Sequence, residues 1–174
     1  MLASLFLIGA SFAAPQMSVQ AASQTAVEDS ADGRTRAVNR MLGGIISYVR
    51  WPGERANVSR TMCLVGTPQM TSRIAPAGPR VTIHRMTPSG ATVEGRCDII
   101  FMGRMAVADR QHLIAWVRSR PILTVTDDDP ACIQGAMFCL HGKRTSLNFS
   151  VNLDSIGRGP LRIDPRVLKI GGGE

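Results

Sequence analysis

Aromatic residues make up only 5% of this 174-residue chain, and lysine supplies only Lys143 and Lys169 of its 20 basic residues. There is no aromatic platform for bases to stack on. The arginines are scattered from Arg34 to Arg166 rather than gathered in a block. A net charge of +7 in that arrangement does not describe a nucleic-acid surface; it describes attraction to an acidic envelope surface or an acidic partner. Catalytic and metal signatures are also lacking. No Cys-x-x-Cys or His-Glu-x-x-His occurs, and His84, His112 and His141 are not spaced as metal ligands, so each reads as a surface or strand histidine. No Gly-x-Ser-x-Gly elbow, phosphate loop or Gly-x-Gly-x-x-Gly after a strand is present. The sequence calls for no enzyme activity, no cofactor and no metal.

Charge is absent from residues 1–22, MLASLFLIGASFAAPQMSVQAA. The apolar run Leu2–Ala14 is too short for a membrane span, which needs about 20 residues. It has the shape of a secretory signal peptide, with small-residue cleavage sites after Ala13 or Ala21. We therefore read residues 1–22 as a signal peptide, 23–35 as a flexible mature N-terminus and 36–174 as a single domain. An exported chain of this length buries a core without help from a second domain.

What the chain does have is an even set of cysteines: Cys63, Cys97, Cys132 and Cys139. In an oxidising compartment these read as two disulfides, with three possible pairings. Along the chain, Val38, Met41, Leu42, Ile45, Ile46 and Val49 form one helical stripe, which Trp51-Pro52-Gly53 ends. Thr61–Gly66 reads as a buried strand, and residues 67–79, with Pro68, Pro76 and Pro79, leave room only for a short helix. Val81–Met86 reads as a strand, Thr87–Gly90 as a turn, and Cys97–Met102 as a second buried strand. Asp109 is placed to cap a helix over 110–119. Ile122–Thr126 follows as a strand, then an acidic run, Asp127–Asp129, which reads as a solvated loop. Residues 135–141 and 145–152 form a hairpin around His141–Arg144, and a last helical turn starts at Pro165. The alternation implies an α/β fold: a mixed, mainly parallel sheet flanked by helices, with a C-terminal antiparallel hairpin. Cys63 in one strand and Cys97 just before another fit a bridge between neighbours, which leaves Cys132 to pair with Cys139 at the hairpin entrance.

Three blocks carry a family likeness. They are IISYVRWPGERANVSRTMCLVG, then CDIIFM, then PILTVTDDDPACIQGAMFCLHGKRTSLNFSVNLDSIGRGPLRIDPRVLKI. In their order and spacing they resemble the YfiR family of bacterial periplasmic proteins, across about residues 38–170. The Pro-rich stretch 67–80 departs from the family, which usually carries a better helix there. The resemblance implies a non-enzymatic regulator. It would bind the periplasmic sensor domain of an inner-membrane diguanylate cyclase, or another membrane sensor protein, and hold it inactive, which lowers cyclic di-GMP and biofilm formation. Further implied partners are an outer-membrane lipoprotein and a second copy in a homodimer. Cys63, Cys97, Cys132 and Cys139 match the family's bridging cysteines. Trp51, Trp116, Asp127 and Asp128 stand as guesses at a partner-binding surface, with Asp129 in the same acidic loop. The competing reading is a periplasmic small-ligand-binding module that serves an envelope transporter.

Overall fold

The structure is a computed structural model that describes residues 25–53 and 58–170. The expected signal peptide and the glycines at 171–173 lie outside the described residues. The apolar stripe read from the sequence is buried in α1 (Ala31–Ser47), which begins earlier than the stripe does. Ser30 is its N-cap, and the Ser30 hydroxyl accepts the Gly33 amide at 2.8 Å. Upstream of that cap, β1 (Thr25–Ala26) pairs antiparallel with the C-terminal hairpin. The segment expected to be a flexible terminus therefore contains a strand and a capped first turn, because a Ser three residues before Gly33 satisfies an amide that the helix leaves open.

After α1 come β2 (Val49–Arg50), β3 (Arg60–Val65), β4 (Val81–Met86), α2 (Pro88–Glu94), β5 (Ile99–Met102) and α3 (Val107–Val117). These are followed by β6 (Leu123–Thr126), β7 (Phe138–His141), β8 (Ser146–Val151), α4 (Leu153–Gly157), β9 (Arg162–Ile163) and a final 3-10 turn over Pro165–Lys169. The main sheet has seven strands in the order β1-β8-β7-β6-β5-β3-β4. The run from β4 to β7 is parallel, while β8 returns antiparallel to β7. This is the mixed, mainly parallel α/β sheet that the alternation implied. The hairpin turns at Gly142, whose φ is +148°, and a Cβ there would meet the Ser146 carbonyl oxygen at 2.2 Å.

Period-two alternation assigns each strand residue to one of two cores. Met62, Leu64, Ile99, Phe101, Leu123, Val125, Phe138, Leu140, Leu147 and Phe149 point toward α1. Cys63, Val65, Ile100, Met102 and Cys139 point the other way, toward α2 and α3. The central strands β5 and β6 are buried on both faces, which is why they read as unbroken apolar runs.

Two local expectations change. Thr87–Gly90 is not a turn but the start of α2: the Thr87 hydroxyl accepts the Gly90 amide and Pro88 occupies the first helical turn. Asp109 does not cap α3, which starts at Val107 after Ala106 with no side-chain cap and holds Asp109 inside its first turn. The Pro-rich stretch between β3 and β4 contains no helix. It forms a strap over α1. The Asn39 side chain donates to the Arg73 carbonyl at 2.8 Å and accepts the Ala75 amide at 2.6 Å, and the Asn39 carbonyl accepts the Ala77 amide at 2.9 Å. Gly43 lets the strap touch the helix: a Cβ there would lie 1.8 Å from the Ala77 carbonyl oxygen.

Candidate functional site

Both disulfides lie on the α2/α3 face of the sheet. Cys63 in β3 is bonded to Cys97, which enters β5, with Cα atoms 5.6 Å apart across adjacent strands. Cys132 is bonded to Cys139 in β7, with Cα atoms 5.4 Å apart and a separation of 7 residues. The second bridge shapes the loop it closes. Cys132 has φ +55°, the left-handed region that side chains rarely adopt. Three contacts hold it there: its amide donates to the Asp129 carbonyl, the Asp129 carboxylate accepts the Gln134 amide at 2.7 Å, and the Cys132 carbonyl accepts the Asn152 side chain at 3.0 Å. Gly135 then presses the loop onto α3, where a Cβ would meet the Ile114 side chain at 2.7 Å.

This loop forms one wall of a cavity of about 660 Å³, with α3 and α4 as the others. Val107 on α3 and Ile133 on the loop line it and are 70% and 77% exposed, and Leu153, between the lining residues Asn152 and Asp154 in sequence, is exposed as well. Outlying apolar side chains around a concave surface mark an interaction site more often than a scattered exposed leucine does. The charged groups lining the cavity are Arg110, Arg118 and the pair Arg158–Asp154, closed at 2.8 Å. The groove is thus apolar where Val107 and Ile133 edge it, and Arg118 is its lining charge with no carboxylate in salt-bridge range among the described residues, which suits an amphipathic protein segment that carries an acidic group. None of Val107, Ile133 and Leu153 stands out in the sequence. The available signal is Ile133 directly after a disulfide cysteine, in a loop too short to bury it.

The acidic run is not a solvated loop. Asp127 is buried, and its Oδ2 accepts the amides of Gln69 and Met70 at 2.7 and 2.8 Å. Its Oδ1 is buried with no hydrogen-bond partner among the described residues. Burial pushes the Asp127 carboxyl above the usual range, against the two amides that pull it down, and the neighbouring Asp128 charge adds to the rise. Asp128 pairs with Arg110, which is itself 4% exposed, at 2.7 Å. Arg110 also donates to the Thr126 hydroxyl and the Gly103 carbonyl. Asp129 is buried and spent on the Gln134 amide. The carboxylates fix loops at the C-terminal ends of the parallel strands. The crevice at that end, between β3 and β5, is filled: Thr67 and Arg104 exchange backbone hydrogen bonds there, and a Cβ on Gly103 would meet Thr67 at 2.3 Å.

The four residues guessed as a contact surface do not come together. Trp51 is 7% exposed in the α1 core, with the Arg60 guanidinium 4.1 Å above its ring. Trp116 is half-buried on α3 under Arg120. Asp127 is buried, and Asp128 is engaged by Arg110. The histidines are dispersed: His84 and His112 are exposed, and His141 sits half-buried with its Nε2 2.9 Å from the Ser150 hydroxyl. Among the described residues no cluster of His, Cys, Asp or Glu could hold a metal ion, and no helix is long and apolar enough to cross a membrane. A second cavity, of about 700 Å³, opens at the C-terminal end of α1 and is lined by Arg40, Arg50, Arg60 and Arg80.

Two comparisons bear on this arrangement. A β-phenylalanine aminotransferase from Variovorax paradoxus superposes with a TM-score of 0.45 at 12% identity, covering 89% of this chain and 44% of that one. The chain spans less than half the length of that enzyme, and neither fold nor chemistry follows from so distant a likeness. The YfiR/HmsC-like family model matches residues 35–172, from the first turns of α1 to beyond the final 3-10 turn, and so takes in both disulfides and the groove walled by α3, the Cys132–Cys139 loop and α4. By that match, over most of its length, the chain belongs to the YfiR/HmsC-like family.

Proposed function

We propose that the protein is an exported, non-enzymatic regulator that binds the periplasmic sensor domain of an inner-membrane diguanylate cyclase and holds it inactive, so that cyclic di-GMP falls. The family match over residues 35–172 carries this reading, since the YfiR-like family consists of periplasmic regulators of such cyclases. Two disulfides fit the oxidising compartment that the role requires. The mechanism is stoichiometric. A regulator that contacts the off state of the sensor domain better than the on state shifts the population by that difference in affinity and needs no chemistry. The groove edged by Val107 and Ile133 is the proposed contact surface, and residues 36–174 are the proposed regulatory domain. Residues 1–22 act as the cleaved export signal, and an outer-membrane lipoprotein competes for the regulator. Deleting the gene raises cyclic di-GMP and surface attachment, and restoring the intact chain reverses both. Unchanged cyclic di-GMP across growth conditions would falsify the proposal.

A second reading has its own observation. The cavity lined by Arg40, Arg50, Arg60 and Arg80 has the size of a small-ligand site, and Arg40, Arg50 and Arg80 have no carboxylate in salt-bridge range among the described residues. It favours a periplasmic module that binds an anionic solute for a transporter. Calorimetric titration with small di- and tricarboxylates and phosphate esters separates the two: saturable binding with no change of cyclic di-GMP in the deletion strain supports the module.

A further inference from the structure

The cavity at the C-terminal end of α1 collects arginines from four separate parts of the chain. Arg40 comes from α1, Arg50 from β2, Arg60 from the start of β3 and Arg80 from the end of the strap. No Asp or Glu is among the described residues that line it. Two of the arginines have structural duties. The Arg60 guanidinium lies 4.1 Å from the centre of the Trp51 ring and 3.5 Å from the Asp98 carboxylate, which offsets its charge. Arg50 donates to the Ser47 and Val49 carbonyls at 2.9 and 3.1 Å, and so answers the negative end of the α1 dipole. Arg40 and Arg80 have no such duty: both are exposed, and neither guanidinium has a hydrogen bond or salt bridge among the described residues. Like charges around one cavity repel one another, and an anion between them turns that repulsion into attraction.

We propose that this cavity binds a phosphate monoester with an apolar body. A carboxylate offers two oxygens in one plane, which one or two guanidinium forks saturate. A phosphate monoester presents three terminal oxygens that point apart and carries nearly two charges at neutral pH. Forks from α1, β2, β3 and the strap can therefore approach it from different sides, and every cation in the lining is an arginine. The apolar side chains of Ile46 and Val58 also line the cavity, and its volume of about 700 Å³ exceeds what a bare phosphate fills. A soluble phosphate ester and the headgroup of phosphatidate share this chemistry, and the net charge of +7 draws the chain toward either. The inference rests on the arginine-lined cavity of the second reading but not on a transporter, and it is independent of the cyclase reading.

The test is calorimetric titration of the full exported chain near neutral pH. Phenyl phosphate binds saturably and at least about tenfold tighter than phthalate, which carries comparable charge on two planar carboxylates. Arg40→Gln and Arg80→Gln each weaken phenyl phosphate at least about tenfold while the circular dichroism stays native. Arg80→Lys keeps the charge but not the fork, and does not restore wild-type affinity. Arg96→Gln combined with Lys143→Gln removes two charges from exposed positions outside the cavity and leaves binding unchanged. Co-sedimentation with phosphatidylcholine vesicles that contain phosphatidate separates the two sources. Capture that phenyl phosphate displaces and Arg40→Gln abolishes assigns the site to the lipid headgroup; phenyl phosphate binding without vesicle capture assigns it to a soluble ester. No saturable binding of phenyl phosphate, or binding that the folded Arg40→Gln and Arg80→Gln variants retain, overturns the proposal. Phthalate binding as tight as phenyl phosphate overturns it too, yet leaves the second reading, an anionic solute of another kind, standing.

Discussion

Oδ2 of Asp127 lies 2.8 Å from the backbone amide of Met70, although the two residues belong to different crossovers of the sheet. The same oxygen takes the Gln69 amide, so one buried carboxylate ties the start of the Pro-rich strap to the end of β6. Burial raises the Asp127 pKa above its unfolded value. The folded state therefore holds the proton more tightly, and the resulting stability is fully present below the unfolded pKa, near 3.9, and lost as pH rises through the folded value. Asp127→Asn keeps an acceptor for both amides and removes the buried charge. It should match or exceed wild type at pH 7 and show no advantage at pH 3. Asp127→Ala leaves two buried amides open and should lose about 1–3 kcal/mol. Urea denaturation from pH 3 to pH 8 reads both effects, and a greater loss for the Asn variant than for the Ala variant at pH 7 would sink this assignment.

The strap makes a second, steric demand. Gly43 sits mid-helix, where Ala is favoured by about 1 kcal/mol. Its missing Cβ is where the Ala77 carbonyl passes, so Gly43→Ala must push the strap away and should destabilise by about 1–3 kcal/mol despite the better propensity. At Gly157 in α4 a Cβ would meet nothing within 4 Å, so Gly157→Ala should be neutral or stabilising by up to about 1 kcal/mol. Thermal unfolding of the two variants side by side checks the contrast in sign.

The disulfides should separate stability from binding. Closing about 35 residues through Cys63–Cys97 contributes roughly 4 kcal/mol in the chain-entropy account, and closing about 8 through Cys132–Cys139 contributes roughly 2.5 kcal/mol. The larger loss of stability is therefore expected for Cys63→Ser with Cys97→Ser. The larger loss of sensor-domain affinity is expected for Cys132→Ser with Cys139→Ser, since that bridge holds Ile133 and Gln134 at the groove and keeps Cys132 in its left-handed conformation. Denaturation and binding measured on the same two double variants give the comparison. An equal effect on binding, once stability is matched, would reduce both bridges to staples.

The fold is legible in the sequence where burial alone decides it. Apolar runs such as Ile99–Met102 and Leu123–Thr126 lie between helices and are buried on both faces, so sequence, strand and core coincide. The start of α2 is ambiguous because Thr87-Pro88-Ser89-Gly90 serves equally as a turn or as a cap with proline in the first helical turn, and only the apolar contact of Ala91 selects the helix. The acidic run misleads for a similar reason. A row of aspartates normally faces water, but here Asp127, Asp128 and Asp129 answer amides and an arginine supplied by residues 69, 70, 110 and 134, none of them next to the aspartates in sequence. The groove is not legible at all, because its apolar lips, Val107 and Ile133, come from α3 and the disulfide loop, and a single exposed Ile or Val carries no pattern.

Those lips supply the sharpest test of the regulatory reading. Ile133 and Val107 are mostly exposed, so changing them to Asp removes little buried surface and should move stability by less than about 0.5 kcal/mol. In an interface the same change places an unpaired carboxylate against a desolvated apolar contact, and truncation of such an anchor typically lowers affinity by about 2 kcal/mol or more. Ile133→Asp should therefore fold, accumulate in the periplasm and fail to repress, leaving cyclic di-GMP at the level of the deletion strain. Trp116→Ala, half-buried on the same helix as Val107 but outside the groove lining, should reduce stability and leave affinity unchanged once stability is matched, and so serves as the contrast. Full repression by the folded Ile133→Asp and Val107→Asp variants would move the contact away from the groove and leave the arginine-lined cavity as the surface to probe next.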